Sequence, residues 1–487
     1  MKKLLSIALL FTFCSLIFAK GDTYIYDHWA EIEKSPDVYR VSHVLYSDDL
    51  NLGSSLKNPN SLFAYNDLLY ILDSDNNRII ELKYTQEKKL ELLRVIDHFN
   101  GNGKTNLTTF NKPMDMFINK DGSYFIADTE NGRVVKLDKN LNYLLEFIEP
   151  DDPTYEKGSE FRPEKVVADA KGRVYLLARN INKGFLKYEF DGSFQGFYGA
   201  TDVIFNFIDM IWKKLATKAQ REQMDSFVPT EYSNAYMDKD GFIYAVTNSF
   251  EEWDLASDVA KPIRRLNALG KDILVKNSYH YPIGDLKWGD AAGIKDPSKF
   301  TDITVLDNDV YCTIDRTHGR IFAYDNQGYL LYAFGGRGSI DGYFNYPVSI
   351  EHIGKDLFVL DNMNASITVF TPTEYCSLIY KAIEQYSNGE YDDSAVSWEE
   401  VLKHNGNYDL AYIGLGKAYL RNNQYKEAME CFKLKRARRD YSKAFQYYRK
   451  EWIEAHLGWI FAIIAALIII PFVVRKIKAI KRELQSL

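Results

Sequence analysis

The chain has 487 residues, a formal net charge of -7 and 15% aromatic side chains. That length allows two or three domains, and an acidic balance without a basic stripe excludes the footprint of a nucleic-acid binder. Outside the N-terminal leader three cysteines remain, Cys312, Cys376 and Cys431. They are an odd set without Cys-x-x-Cys spacing, which excludes a disulfide framework and a thiolate zinc site.

Residues 1–19 read as a signal peptide. Lys2 and Lys3 precede an apolar run from Leu4 to Phe18, and Ala19, with Ile17 two residues before it, is an acceptable cleavage site. Phe13 is too large to precede a lipoprotein cysteine, so no lipid anchor is expected at Cys14.

Residues 20–372 are dominated by a recurring phrase: an extended run, a turn with Asp and Asn, an Arg, and a second extended run. It appears around Asp73 and Arg78, around Asp128 and Arg133, around Asp315 and Arg320, and at Phe358-Val359-Leu360-Asp361-Asn362-Met363-Asn364. Weaker copies at Tyr175 to Asn182 and Tyr244 to Phe250 bring the units to six. Short alternating runs such as Arg173-Val174-Tyr175-Leu176-Leu177 are separated by turn signals at Asp121-Gly122, Asp191-Gly192 and Asp240-Gly241. Hairpin-rich units of this kind cannot bury both faces alone, so they are predicted to close radially into a mainly β, six-bladed propeller.

These residues resemble the NHL-repeat propeller family, whose units carry a Pro, a small or acidic residue, a Gly turn and then Asp-x-x-Asn-x-Arg between two strands. Pro113 to Leu137 and Phe300 to Tyr324 fit best, and the resemblance covers about Asn58 to Pro372. The family includes scaffolds, sensors, lyases and lactonase-like relatives, so the resemblance implies a fold and not one activity. Asp73, Asp128, Arg133, Asp315 and Arg320 are expected to be structural, an Asx turn with an Arg tying two strands together.

Two irregularities are candidate functional sites. The insertion at 202–227 reads as an amphipathic helix. Its residues Phe207, Ile211, Trp212 and Leu215 either pack on blades three and four or present a lid or a docking face for a protein partner or membrane. The second is a polar ring. Counting back from each Gly turn to the start of the innermost strand gives Asp115, Lys165, Asn234 and Asp302, with Ser61 and Ser349 once a one-residue deletion is allowed, all expected to converge near one mouth of the central channel. Such a ring could bind a hydroxylated ligand or a cation, unless Asp115 and Asp302 merely cap neighbouring backbone.

His43, His98, His280, His318 and His352 do not recur at one blade position, and no nucleophile elbow, His-Glu-x-x-His or phosphate loop is present. The predicted function is therefore capture of a small molecule, glycan or protein without a cofactor. The alternative is a metal-dependent hydrolase of the gluconolactonase type, with one divalent cation such as Ca in the channel. The family resemblance also implies membrane company such as an importer.

From 373 to 450 the periodicity becomes helical. Leu415, Gly416, Tyr419, Tyr425, Ala428 and Phe432 stand at the spacings of a tetratricopeptide repeat, preceded by a weaker copy at Ala382, Gly389, Tyr391, Ser394 and Trp398. Ser394, Gln385 and Lys435 depart from that pattern. The array is expected to serve as a stalk or to dock a protein partner. Residues 457–474 carry no charge and just reach the hydrocarbon thickness, a predicted transmembrane helix followed by a basic tail at 475–487. Basic residues precede the span in greater number than they follow it, so counting them alone would point to the opposite orientation. The leader decides instead, and places the propeller and helical repeats outside the cell membrane, at the cell surface, with a cytoplasmic tail.

Overall fold

A computed structural model describes residues 23–485, apart from 28, 30, 156–159, 182, 201–231, 249, 251–254, 256–260, 278–281, 286, 290–292 and 296. The leader and the insertion at 202–227, with Phe207, Ile211, Trp212 and Leu215, lie outside the described residues. The chain divides into two compact units, Met1–Ser377 and Leu378–Leu487.

The first unit is a six-bladed β-propeller. Blades one to three are four-stranded antiparallel sheets whose innermost strands are Pro59–Tyr65, Pro113–Ile118 and Pro163–Ala168. Blade four has three described strands, beginning at Asn234–Met237. Blades five and six begin at Phe300–Val305 and Pro347–Ile353. Chain order runs from the hub outward in each blade, except that the fourth strand of blade six is Tyr39–Tyr46, which pairs antiparallel with Ser366–Pro372 from Ser366↔Tyr46 to Pro372↔Tyr39. The ring is thus closed by a strand from before blade one. A further N-terminal strand, Tyr24–Tyr26, joins the outer edge of blade five through Tyr24↔Ala333 and carries its own partner, Ile32–Lys34.

The innermost strands share a defect. Five of six shift register at the same step, between Pro59 and Ser61, Pro113 and Asp115, Pro163 and Lys165, Phe300 and Asp302, and Pro347 and Ser349. A bulge tolerates proline, which has no N–H for the ladder, and re-aims the following side chain. Beyond the bulge the strands alternate: Leu62, Met116, Val166, Ile303 and Ile350 are buried between blades. The core accordingly lies in sectors, one packing Leu62 and Ile71 against Phe358 and Leu360, the next Tyr70 and Ile79 against Met116 and Ile126. Each such side chain contributes about 1.5–3 kcal/mol when fully buried.

The recurring Asp ties together the four blades that carry it, at Asp73, Asp128, Asp315 and Asp361. Asp128 accepts from the Asn111 backbone N–H (2.7 Å), Asn131 Nδ2 (2.8 Å) and Arg133 Nε (2.9 Å). Asp73 repeats this with Lys57 N, Asn76 Nδ2 and Arg78 Nε. In blade five the pattern changes: His318 Nδ1 takes the place at Asp315 (2.6 Å), and Arg320 turns to Asp285.

In the second unit, α1 (Glu374–Ser387), α2 (Tyr391–His404), α3 (Asp409–Arg421), α4 (Tyr425–Leu434) and α5 (Arg438–Gln485) follow one another with short turns. Gly414 faces the Trp398 indole, and a Cβ at Gly416 would stand 2.7 Å from the Phe432 ring, so α3 touches both neighbours through glycine. Ser394 Oγ donates to the Ala382 carbonyl (2.8 Å) and Ser397 Oγ to Gln385 Oε1 (2.6 Å), so polar contacts join α1 to α2 where small and aromatic residues were expected. Ala444 on α5 is buried with Ala428, Phe432 and Ala437, and Tyr425 stacks on Tyr447 (5.7 Å). The same helix continues without interruption, Pro471 included, and is long and apolar enough to cross a membrane.

Candidate functional site

The ring residues, five of them just past a bulge and Asn234 on a regular strand, are linked by hydrogen bonds around the hub. Ser61 Oγ donates to Asp115 Oδ1 (2.8 Å), and Lys165 Nζ reaches Ser61 Oγ (3.4 Å) and Asp115 Oδ1 (3.6 Å). Across the hub, Asn234 Nδ2 donates to Asp302 Oδ1 (2.7 Å) and Ser349 Oγ to Asp302 Oδ2 (2.6 Å). Each acceptor also takes the backbone N–H one step past the ring position on the next blade. Val166 N donates to Asp115 (3.0 Å), Ile350 N to Asp302 (2.8 Å) and Leu62 N to Ser349 Oγ (3.0 Å). Convergence and backbone capping, posed as alternatives by the sequence, are one arrangement.

The ring is not at a mouth. Ser61, Asp115, Asn234, Asp302 and Ser349 are buried, and the first four form the inner end of a channel of about 660 Å³. Lys165 and Ser349 belong to the ring but not to the channel wall. The open end is lined by exposed residues of the turns that follow the innermost strands, Asn66, Lys120, Lys171, Asp240 and Asp307. The physical reason is the direction of the strands: the bulge sits at their start, and the Gly turns from which the register is counted sit at the mouth.

Two residues past each ring position, on the same strand face, stand Phe63, Phe117, Val167, Tyr236, Thr304 and Glu351. Phe63 and Phe117 make an aromatic wall, their rings 5.4 Å apart. Opposite chemistry comes from blade six. Glu351 is 6% exposed yet lines the channel. Its Oε2 accepts from Thr304 Oγ1 (3.2 Å) and His352 N (3.3 Å), and among the described residues no hydrogen bond reaches Oε1. Thr304 Oγ1 also lies 2.7 Å from His352 Nδ1.

Burial, reinforced by the Asp302 charge, pushes the Glu351 carboxyl well above its usual range. Burial also raises Asp302 to about 6 against the pull of Lys165, and lowers His352 to about 4. The wall therefore offers a carboxyl whose protonated form burial favours, beside an imidazole that is neutral near neutral pH. Sequence reasoning missed Glu351, Thr304 and His352 because these positions carry no repeated residue type. The signal was their offset of two or three residues from the ring. Among the described residues, no three His, Cys, Asp or Glu side chains are gathered so as to hold a metal ion.

Strand order and closure define the class, a six-bladed β-propeller with a blind central channel, followed by helices of which one is long enough to span a membrane. No protein-family model and no curated protein matches the chain. Similar solved structures include a streptogramin B lyase, at 12% identity and TM-score 0.41 over 69% of this chain and 98% of that one. Another is a virginiamycin B lyase from Staphylococcus aureus, at 11% identity and TM-score 0.38 over 68% and 99%. A third is a protein of unknown function from Bacteroides thetaiotaomicron, at 12% identity and TM-score 0.40 over 72% and 76%. At TM-scores below 0.5 these likenesses carry no argument, and the class rests on the strand pairing of this chain.

Proposed function

We propose that this chain is a membrane-anchored binding protein whose propeller takes a small ligand into its central channel outside the cell membrane. The observation that carries this reading is the blind channel, walled by aromatic and acidic side chains, on a chain whose last helix is long and apolar enough to cross a bilayer. The repeat phrase supports an NHL-type propeller, and the Gly414 and Gly416 contacts support tetratricopeptide-like repeats, which would give a protein partner such as a transporter a second surface. The alternative hydrolase reading has no cluster of metal donors among the described residues to support it.

Ala170 and Lys120 are exposed at the mouth, so Ala170→Trp combined with Lys120→Trp should obstruct entry while sparing the core. Small molecules retained by the full-length protein from a soluble extract of its own cells, read by mass spectrometry, should be lost from this variant at an unchanged melting midpoint. Equal retention by parent and variant would move the binding site out of the channel.

Protease added to intact spheroplasts is expected to degrade the propeller and to spare a tag placed after Leu487. Protection of the propeller with loss of the tag would invert the topology.

A further inference from the structure

We infer that the channel is built for an organic cation, with Glu351 as the counter-charge for an ammonium group held against the Phe63 and Phe117 rings. This rests on the channel reading and adds the ligand class to it.

The argument starts from which charges are already compensated. At the open end, Asp169 pairs with Arg173 (2.5 Å), Asp238 with Arg265 (3.0 Å) and Lys239 with Asp309 (3.4 Å). At the inner end stand three carboxyl groups, Asp115, Asp302 and Glu351, and among the described residues the cation there is Lys165, beside Asp115. Asp302 spends both oxygens on Asn234, Ser349 and two backbone N–H groups, and Asp115 spends both on Ser61, Lys165 and Val166. Of these three, only Glu351 keeps an oxygen that no hydrogen bond reaches among the described residues, on a carboxyl more than nine-tenths buried in the channel wall.

Burial, and then the charges of Asp302 and Asp115, favour the protonated form of an acid in that position while the channel is empty. A cation entering the channel reverses the balance. It supplies Glu351 with the positive charge that Lys165 gives to Asp115 and Asp302, and Glu351 releases its proton to solvent. Aromatic faces attract the same ligand through their quadrupoles, and a ring pair such as Phe63 and Phe117 stands where a neutral, strongly hydrated ligand gains least. The groups facing Glu351 are Asp302 and Thr304 from blade five, Tyr236 from blade four, Asp115 from blade two and His352 on its own strand. His352, neutral above about pH 4, does not compete as a cation at neutral pH.

The test uses full-length protein in detergent, with choline as the cation and 3,3-dimethyl-1-butanol as its uncharged isostere. Calorimetry should show choline binding, about tenfold or more tighter than the isostere. Affinity should rise from pH 5.5 to pH 8, and buffers of different ionisation enthalpy should report proton release on binding. Glu351→Gln should abolish the release and lose about tenfold or more in choline affinity. Equal affinity for choline and the isostere, or choline binding without proton release, overturns the cation assignment. Absence of choline binding does so too. The channel reading stands or falls separately, on the Ala170→Trp and Lys120→Trp variant.

Discussion

Asp302→Ala is expected to lower the unfolding free energy by about 3 kcal/mol at neutral pH. Four donors converge on this carboxylate: Asn234 Nδ2 and Ile303 N on Oδ1, Ser349 Oγ and Ile350 N on Oδ2. Alanine leaves them in a buried hub, where each unsatisfied donor costs about 1–3 kcal/mol. Removing a desolvated charge offsets part of that, which keeps the estimate below the sum. The pH dependence has a definite sign. Burial raises the carboxyl to about 6 from an ordinary 3.8, so the folded parent holds this proton more tightly than the unfolded chain does. The stability this group confers therefore falls as pH rises from about 4 to about 6. Chemical denaturation of parent and variant should show a wider gap at pH 4 than at pH 8. A constant gap would mean that Asp302 does not titrate in this window.

Asp128→Ala should cost about 3–5 kcal/mol, the range for stripping one partner from a buried ion pair. Arg133 is 3% exposed, and it would keep only the Glu146 carboxylate (3.1 Å) and the Leu107 carbonyl (2.9 Å). Asn111 N and Asn131 Nδ2 would lose their acceptor as well. Adding Arg133→Leu should recover part of the loss, since the buried cation, left with Glu146 as its one carboxylate partner, goes with it. Strict additivity of the two substitutions in urea melts would show that the pair is not coupled and that the Asp acts only on the turn.

What the sequence made legible follows from repetition. The Asp128 and Arg133 phrase recurs with one spacing, so blade count and the structural role of the phrase could be read from it. Ring positions could be counted back from the Gly turns because strand lengths are nearly constant, and all six meet at the hub. Their depth could not be read, because burial depends on which end of the strand faces solvent. Glu351 escaped because its equivalents are Phe63, Phe117, Val167, Tyr236 and Thr304, which share no residue type. Tyr39–Tyr46 escaped for a different reason: it carries no turn phrase, and its partner lies more than 300 residues away. The long final helix was legible from its charge-free run, while its continuity from Arg438 depends on the absence of any break before Leu457.

That closing strand sets the order of events during synthesis. Tyr46 pairs with Ser366, so a chain made from its N-terminus carries Tyr39–Tyr46 without its partner until about 320 further residues exist. At 5–20 residues per second this interval is on the order of tens of seconds. Individual blades can form hairpins during that time, but the circle cannot shut, and loop-closure entropy across the whole ring is met only at the last step. The propeller is therefore expected to gain its resistance to unfolding abruptly, once Pro372 is free to pair. A nascent chain stalled before that residue should be digested by protease as readily in blade one as in blade five.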